Sequence, residues 1–135
     1  MSKLIPHFHP CRVYIEDTDA GGVVYHSNYL KYCERARTEM FRTFGFTNAG
    51  LIRDHNHKFV VVEATMKFFQ GAQLDEELQV RTLLSEMTGA SITLEQTVLR
   101  NTSTICQVYV KLALVNHNFR AIRLPKMIID VLRKG

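Results

Sequence analysis

At 135 residues and 46% hydrophobic, the chain reads as one soluble globular domain, residues 1–135, able to bury a core without metal or disulfide support. Its net charge of +4 comes from dispersed Lys and Arg, which excludes the basic stripe and aromatic platforms of a nucleic-acid binder. A mildly basic surface instead suits a phosphate-bearing small molecule. No apolar run is long enough to span a membrane. The start Met1-Ser2-Lys3-Leu4-Ile5-Pro6 lacks a signal-peptide core, and Cys11, Cys33 and Cys106 are too scattered for a disulfide framework. A reducing, cytoplasmic setting is the expectation.

In chain order, His7 to Ile15 can extend as a strand, with Cys11, Val13 and Ile15 on one face and Arg12 and Tyr14 on the other. A loop from Glu16 follows, crowding Asp17, Asp19, Gly21-Gly22, Tyr25 and His26 together. From Asn28 the apolar residues Tyr29, Cys33, Ala36, Met40 and Phe44 recur at helical spacing, which predicts a helix of roughly 16 residues. Ser27 or Asn28 can cap its start and Gly45 can stop it. Asn48 to His57 reads as a short helical turn or loop.

Alternation then takes over. In Phe59 to Phe69 the even positions Val60, Val62, Ala64, Met66 and Phe68 are apolar, which predicts a core face seating the helix. The odd positions Glu63, Thr65 and Lys67 form a mixed face that can meet a ligand or a partner. Glu77 to Ser85, Ser91 to Arg100 and Thr104 to Asn116 read as three more strands joined by short breaks. Pro125 opens a closing helix over Lys126 to Arg133. One long helix among antiparallel strands predicts an α+β fold, with the helix packed on one sheet face.

Asp19 is the first candidate for chemistry. A carboxylate is ionised at neutral pH and can attack an activated carbonyl or take a proton from water. As a bland alternative, Asp17 and Asp19 are turn residues that bond their own backbone. What favours a site is the combination of a carboxylate, the Gly21-Gly22 hinge and a helix start a few residues later. Free N–H groups around Tyr25 and His26 can then stabilise an oxyanion. His26 is a general acid/base, a residue that orients the acyl group, or a helix-entry residue bonded to backbone. Glu63 is either catalytic or paired with a neighbouring base, and Tyr25 and Tyr29 are core or interface aromatics.

His7, His9 and Cys11 share one face of a strand, a spacing compatible with Zn²⁺, although no fourth ligand is evident. Asp17-x-Asp19 resembles the opening of a calcium loop, but no closing Glu follows. Serine-hydrolase, dinucleotide and P-loop patterns are missing from the sequence.

The run Arg12-Val13-Tyr14-Ile15-Glu16-Asp17-Thr18-Asp19-Ala20-Gly21-Gly22-Val23-Val24-Tyr25-His26-Ser27-Asn28-Tyr29, followed by Glu34-Arg35-Ala36-Arg37-Thr38-Glu39, resembles the hotdog-fold acyl-CoA thioesterases. The similarity is to the branch holding 4-hydroxybenzoyl-CoA thioesterase and the Tol-Pal-associated acyl-CoA thioesterases. It continues more loosely through Val62-Glu63-Ala64, Leu74 to Leu78 and Arg123-Leu124-Pro125.

The resemblance implies an antiparallel sheet of about five strands wrapped around one long helix. It also implies dimers that pair the strand at Phe59 to Phe69, with tetramers as the larger alternative, and active sites between subunits. By motif position Asp19 matches the family's catalytic aspartate, and His26 lies at the helix start that polarises the thioester carbonyl. Tyr25, Ser27, Asn28, Glu63 and Thr65 are the implied substrate-binding residues. The sequence departs from the family at Met87 to Ser91, where 4-hydroxybenzoyl-CoA thioesterase carries a basic cluster, and at Gly71, where relatives carry proline.

The expected function is hydrolysis of an acyl-CoA thioester to a carboxylate and free thiol, without a metal or other cofactor. Two alternatives stay open. One is a thioesterase acting on acyl carrier protein, and the other a non-catalytic module binding acyl-CoA or a partner protein at the inner membrane.

Overall fold

A computed structural model describes residues 6–134 of the chain. The elements run β1 (His7–Arg12), α1 (Asn28–Thr43), α2 (Asn48–His55), β2 (Lys58–Phe68), β3 (Glu77–Met87), β4 (Ser91–Arg100), β5 (Ser103–Val115) and α3 (Lys126–Lys134). The strands form one antiparallel sheet in the order β1-β3-β4-β5-β2, which is the expected α+β arrangement.

The long helix forms where its periodicity places it. Tyr29, Cys33, Ala36 and Met40 are buried, and Tyr32, Arg37 and Phe41 widen the stripe. Gly45, at φ 101°, ends the helix with Phe46 N–H bonded back to Phe41 O, as a left-handed C-terminal residue should. At the other end Ser27 makes no side-chain cap, contrary to expectation. The segment from Asn48 is a true helix, because Thr47 Oγ1 accepts from Gly50 N–H at 3.0 Å and Asn56 closes it in the left-handed region.

Two corrections concern the strands. β1 stops at Arg12, because Asp17 Oδ2 accepts the Tyr14 N–H and turns Ile15–Asp17 into a 3₁₀ turn. Ile15, expected on the core face, is thereby left 76% exposed. β2 carries a bulge between Val61 and Glu63, and a single extra residue reverses which face later side chains occupy. Before the bulge the odd residue Phe59 packs on the core; after it the even residue Met66 does. Val62, expected inside, is exposed.

The helix also sits elsewhere than expected: α1 lies over β1, β3, β4 and β5, while α2 covers β2. Two aromatic contacts still tie α1 to β2. Phe41 stacks on Phe59 at 5.3 Å and on Phe46 at 4.8 Å, and Tyr29 meets Phe68 at 5.9 Å. A buried polar network pins the middle of α1 to the sheet. Gln96 Nε2–H donates to Cys33 O and Thr82 Oγ1, and Arg37 Nη1–H donates to Gln96 Oε1 at 3.0 Å. Among the described residues, no helix is long and apolar enough to cross a membrane.

Phe41 stands at the centre of the aromatic stack and is 3% exposed. Phe41→Ala is expected to cost about 3–5 kcal/mol, read as a lowered urea midpoint at unchanged slope.

Candidate active site

The loop between β1 and α1 is organised by Asp17, which is buried. Its carboxylate accepts the Tyr14 N–H at 2.9 Å. Its backbone carbonyl accepts from Tyr25 N–H at 2.9 Å and from Asn28 Nδ2–H at 2.8 Å. Asp17 therefore joins the end of the strand to the start of the helix. The buried Tyr32 hydroxyl lies beside it without closing a hydrogen bond of good geometry. Burial first, and the Asp17 carboxylate second, push the Tyr32 phenol above its ordinary range, so it stays a neutral O–H at pH 7.

Beyond Asp17 the chain makes a tight hairpin. Thr18 bridges Val24, Asp19 N–H donates to Val23 O, and Gly22 N–H returns to Asp19 O. Gly22 sits at φ 85°, where a side chain would be strained, and a Cβ on Gly21 would make a tight 3.2 Å contact with Asp19 Oδ1. The hairpin is held from behind by Val24 N–H to Ala72 O and by a bridge between Val23 and Gln73. Asp19 is exposed at its tip. Oδ1 accepts the Gly21 N–H at 2.7 Å, and Oδ2 is unengaged among the described residues.

The expected donors at the helix start divide into spent and free. Tyr25 N–H goes to Asp17 O, Asn28 N–H to Tyr25 O, and Tyr29 N–H to His26 O. The N–H groups of His26 and Ser27 have no hydrogen-bond partner among the described residues. They precede the first turn of α1, where the helix dipole is positive. The Asn28 side chain is buried and gives one amide N–H to Asp17 O, tying the helix start to the loop. The His26 ring is exposed, 4.4 Å from Tyr25 and edge-on to Phe68 at 6.2 Å.

Glu63 and Thr65 do not join this group within the chain. After the bulge they project from the sheet face opposite α1, where Glu63 pairs in register with Lys111 and Thr65 with Tyr109. The sheet itself separates them from Asp19. His7, His9 and Cys11 share the inward face of β1, as their spacing implies. No group of three His, Cys, Asp or Glu close enough to hold a metal occurs among the described residues.

The cysteines are free, and burial pushes Cys11 and Cys106 up to about 11 and Cys33 up to about 12. None is a ready thiolate nucleophile. One cation was missed from the sequence: Arg123 lies against the turn at Gly89, where a Cβ would meet its guanidinium at 3.0 Å. Arg123 is 34 residues from Gly89 in the chain, so no local pattern signals the contact.

Removing the clasp would strand buried acceptors. Asn28→Ala is expected to destabilise the protein by about 1–3 kcal/mol, measured by thermal denaturation, with Ser27→Ala near neutral by the same assay.

The thioesterase-like superfamily matches residues 13–132 of the chain. The acyl-CoA thioesterase YbgC of Haemophilus influenzae is 48% identical over 107 residues, covering 79% of each chain. The acyl-CoA thioesterase YbgC of Helicobacter pylori is 36% identical over 132 residues, covering 90% of this chain and 96% of that one. Among solved structures, a probable thioesterase from Bartonella henselae superposes with a TM-score of 0.87 at 37% identity, covering 90% of this chain and all of that one. The fold is that of the hotdog thioesterases, and the chain belongs to the thioesterase-like superfamily.

Proposed function

We propose that this chain hydrolyses acyl-CoA thioesters, with Asp19 and the N–H groups of His26 and Ser27 as the reacting site. One observation carries the assignment of the site. An exposed carboxylate stands at the tip of a braced hairpin whose next segment presents unpaired N–H groups at a helix start.

In this reading the thioester oxygen accepts from His26 and Ser27 N–H, donors already oriented and aided by the helix dipole. Asp19 Oδ2 takes a proton from water as the water oxygen adds to the carbonyl carbon, or it adds to that carbon itself. The C–S bond then breaks and the thiolate leaves to be protonated. In the second route water cleaves the acyl–Asp19 anhydride. Both routes consume one water and release a carboxylate and a thiol.

His26 contributes chiefly through its backbone, and its exposed ring, with Tyr25 and Phe68, borders the acyl group. Arg123 at the Gly89 turn offers a charge for coenzyme A phosphates. The unpaired cysteines suit a reducing, cytoplasmic setting, where the released thiol persists. We further infer a homodimer formed through β2. Among the described residues this edge strand pairs only with β5 and leaves Val61 and Val62 half exposed along its 11 residues, a ready template for a second copy.

Asp19→Asn and Asp19→Ala are expected to lower kcat on acyl-CoA by about 10²–10⁴ while the melting temperature holds, since the side chain is exposed. His26→Ala, which keeps its N–H, should lose less. Undiminished hydrolysis in both Asp19 variants would remove Asp19 from the mechanism. Tight acyl-CoA binding without turnover by the wild type would make the chain a binding module.

A further inference from the structure

A second cleft, of about 300 Å³, opens between α1, α2 and β2 and is walled by Phe41, Phe59 and Leu112. Arg37 lines it and is only 8% exposed. Arginine keeps its proton in proteins, so this is a buried positive charge. Buried charges are ordinarily paired, because desolvating a lone ion is costly. Yet the one partner of Arg37 among the described residues is the neutral amide oxygen of Gln96, which takes Nη1–H at 3.0 Å. No carboxylate comes within ion-pairing distance of Arg37 among those residues.

Glu34 shares the cleft but is exposed and makes no bond to Arg37, and Lys58 adds a second cation at the rim. Gln96 is itself fixed by Cys33 O and Thr82 Oγ1, so the guanidinium is held in place with donors to spare. An apolar wall ending in a rigid, under-partnered guanidinium matches an organic acid: hydrocarbon along the wall and carboxylate on the fork. Arg37 lies nine positions beyond Asn28, about 13 Å along the α1 axis, so this cleft is separate from the Asp19 hairpin of the same chain.

We propose that the α1–α2–β2 cleft binds an apolar carboxylate, with Arg37 receiving the anion. Two sources share that chemistry: a free carboxylic acid, the product class of the proposed hydrolysis, and the distal carboxylate of a dicarboxylic acyl thioester. The identity of the acid rests on the hydrolase reading; the anion site does not.

The test begins with calorimetric titration of the wild-type protein with octanoate and with octanamide, which differ in charge and little in shape. Octanoate should bind at least about tenfold more tightly, the change expected of one charge-assisted hydrogen bond, and Arg37→Gln should reduce octanoate to the amide level. Equal affinities, or a charge preference that survives in Arg37→Gln, would overturn the proposal. If that variant does not fold, NMR contacts in the wild type decide. Octanoate methylenes touching the Phe41 and Phe59 rings support the site, and octanoate bound elsewhere overturns it.

Hydrolysis of octanoyl-CoA and suberyl-CoA then separates the sources. A lower KM for suberyl-CoA that Arg37→Gln abolishes assigns the distal carboxylate. Equal KM values with inhibition by octanoate, relieved about tenfold in Arg37→Gln, assign the free acid. Failure of both thioesters to turn over would sink the hydrolase reading and leave the titration result standing.

Discussion

Asp17 turns a strand end into a helix start, and the geometry of the site depends on that one residue. Its carboxylate and its carbonyl gather Tyr14, Tyr25 and Asn28 around a buried point. Each of these bonds replaces water that burial has removed, so breaking one leaves a polar group stranded at about 1–3 kcal/mol. That asymmetry explains how a loop dense in glycine and acid holds a single shape. With Tyr25 N–H taken by Asp17, the two following N–H groups are left without a partner among the described residues. The clasp thus both shapes the hairpin and selects the donors.

A second constraint is the bulge in β2. Shifting the side-chain phase at Val62 lets one strand serve both ends of α1: Phe59 stacks under Phe41 at one end, and Phe68 meets Tyr29 and His26 at the other. Without the bulge a strict alternation would send either Phe59 or Phe68 to the far face. The same shift sends Glu63 and Thr65 to the face away from the helix. The Arg37–Gln96 network fixes the middle of α1 between these aromatic ends. A helix pinned at three levels is a rigid platform for a site at its start and a cleft along its flank.

Much of this was legible in the chain. The spacing of Tyr29, Cys33, Ala36 and Met40 marks α1 because a helix must bury one stripe, and the alternation of the later strands marks the sheet. Asp19 stands out by its neighbours Gly21 and Gly22, whose roles in the hairpin are local. What stayed illegible is what depends on distant partners. Ile15 alternates like a core residue, but the Asp17 bond to Tyr14 overrides the pattern. The bulge at Val62 leaves no mark in a run of apolar residues, so Val62 reads as a core position although the strand changes phase there; the odd face of Glu63 and Thr65 is the one the alternation predicts. Which N–H groups are free is a matter of hydrogen-bond accounting that no side-chain pattern records.

Asp17 and Asp19 share a side chain and lie two residues apart, yet only Asp19 is exposed. Asp17 is buried, and its Oδ2 holds the Tyr14 N–H at the strand end, so its charge faces the backbone. Asp19 commits one oxygen to Gly21 N–H, which fixes the carboxylate's direction, and keeps the other open. A reacting carboxylate needs that division, because a wholly free group would have to be ordered by the substrate and a wholly bonded one would have nothing to offer. A Cβ on Gly21 would lie 3.2 Å from Asp19 Oδ1 and press on the Gly21 bond. The bond that makes Asp19 a turn residue, from Gly21 N–H to Oδ1, is therefore also the one that fixes the direction of its exposed carboxylate.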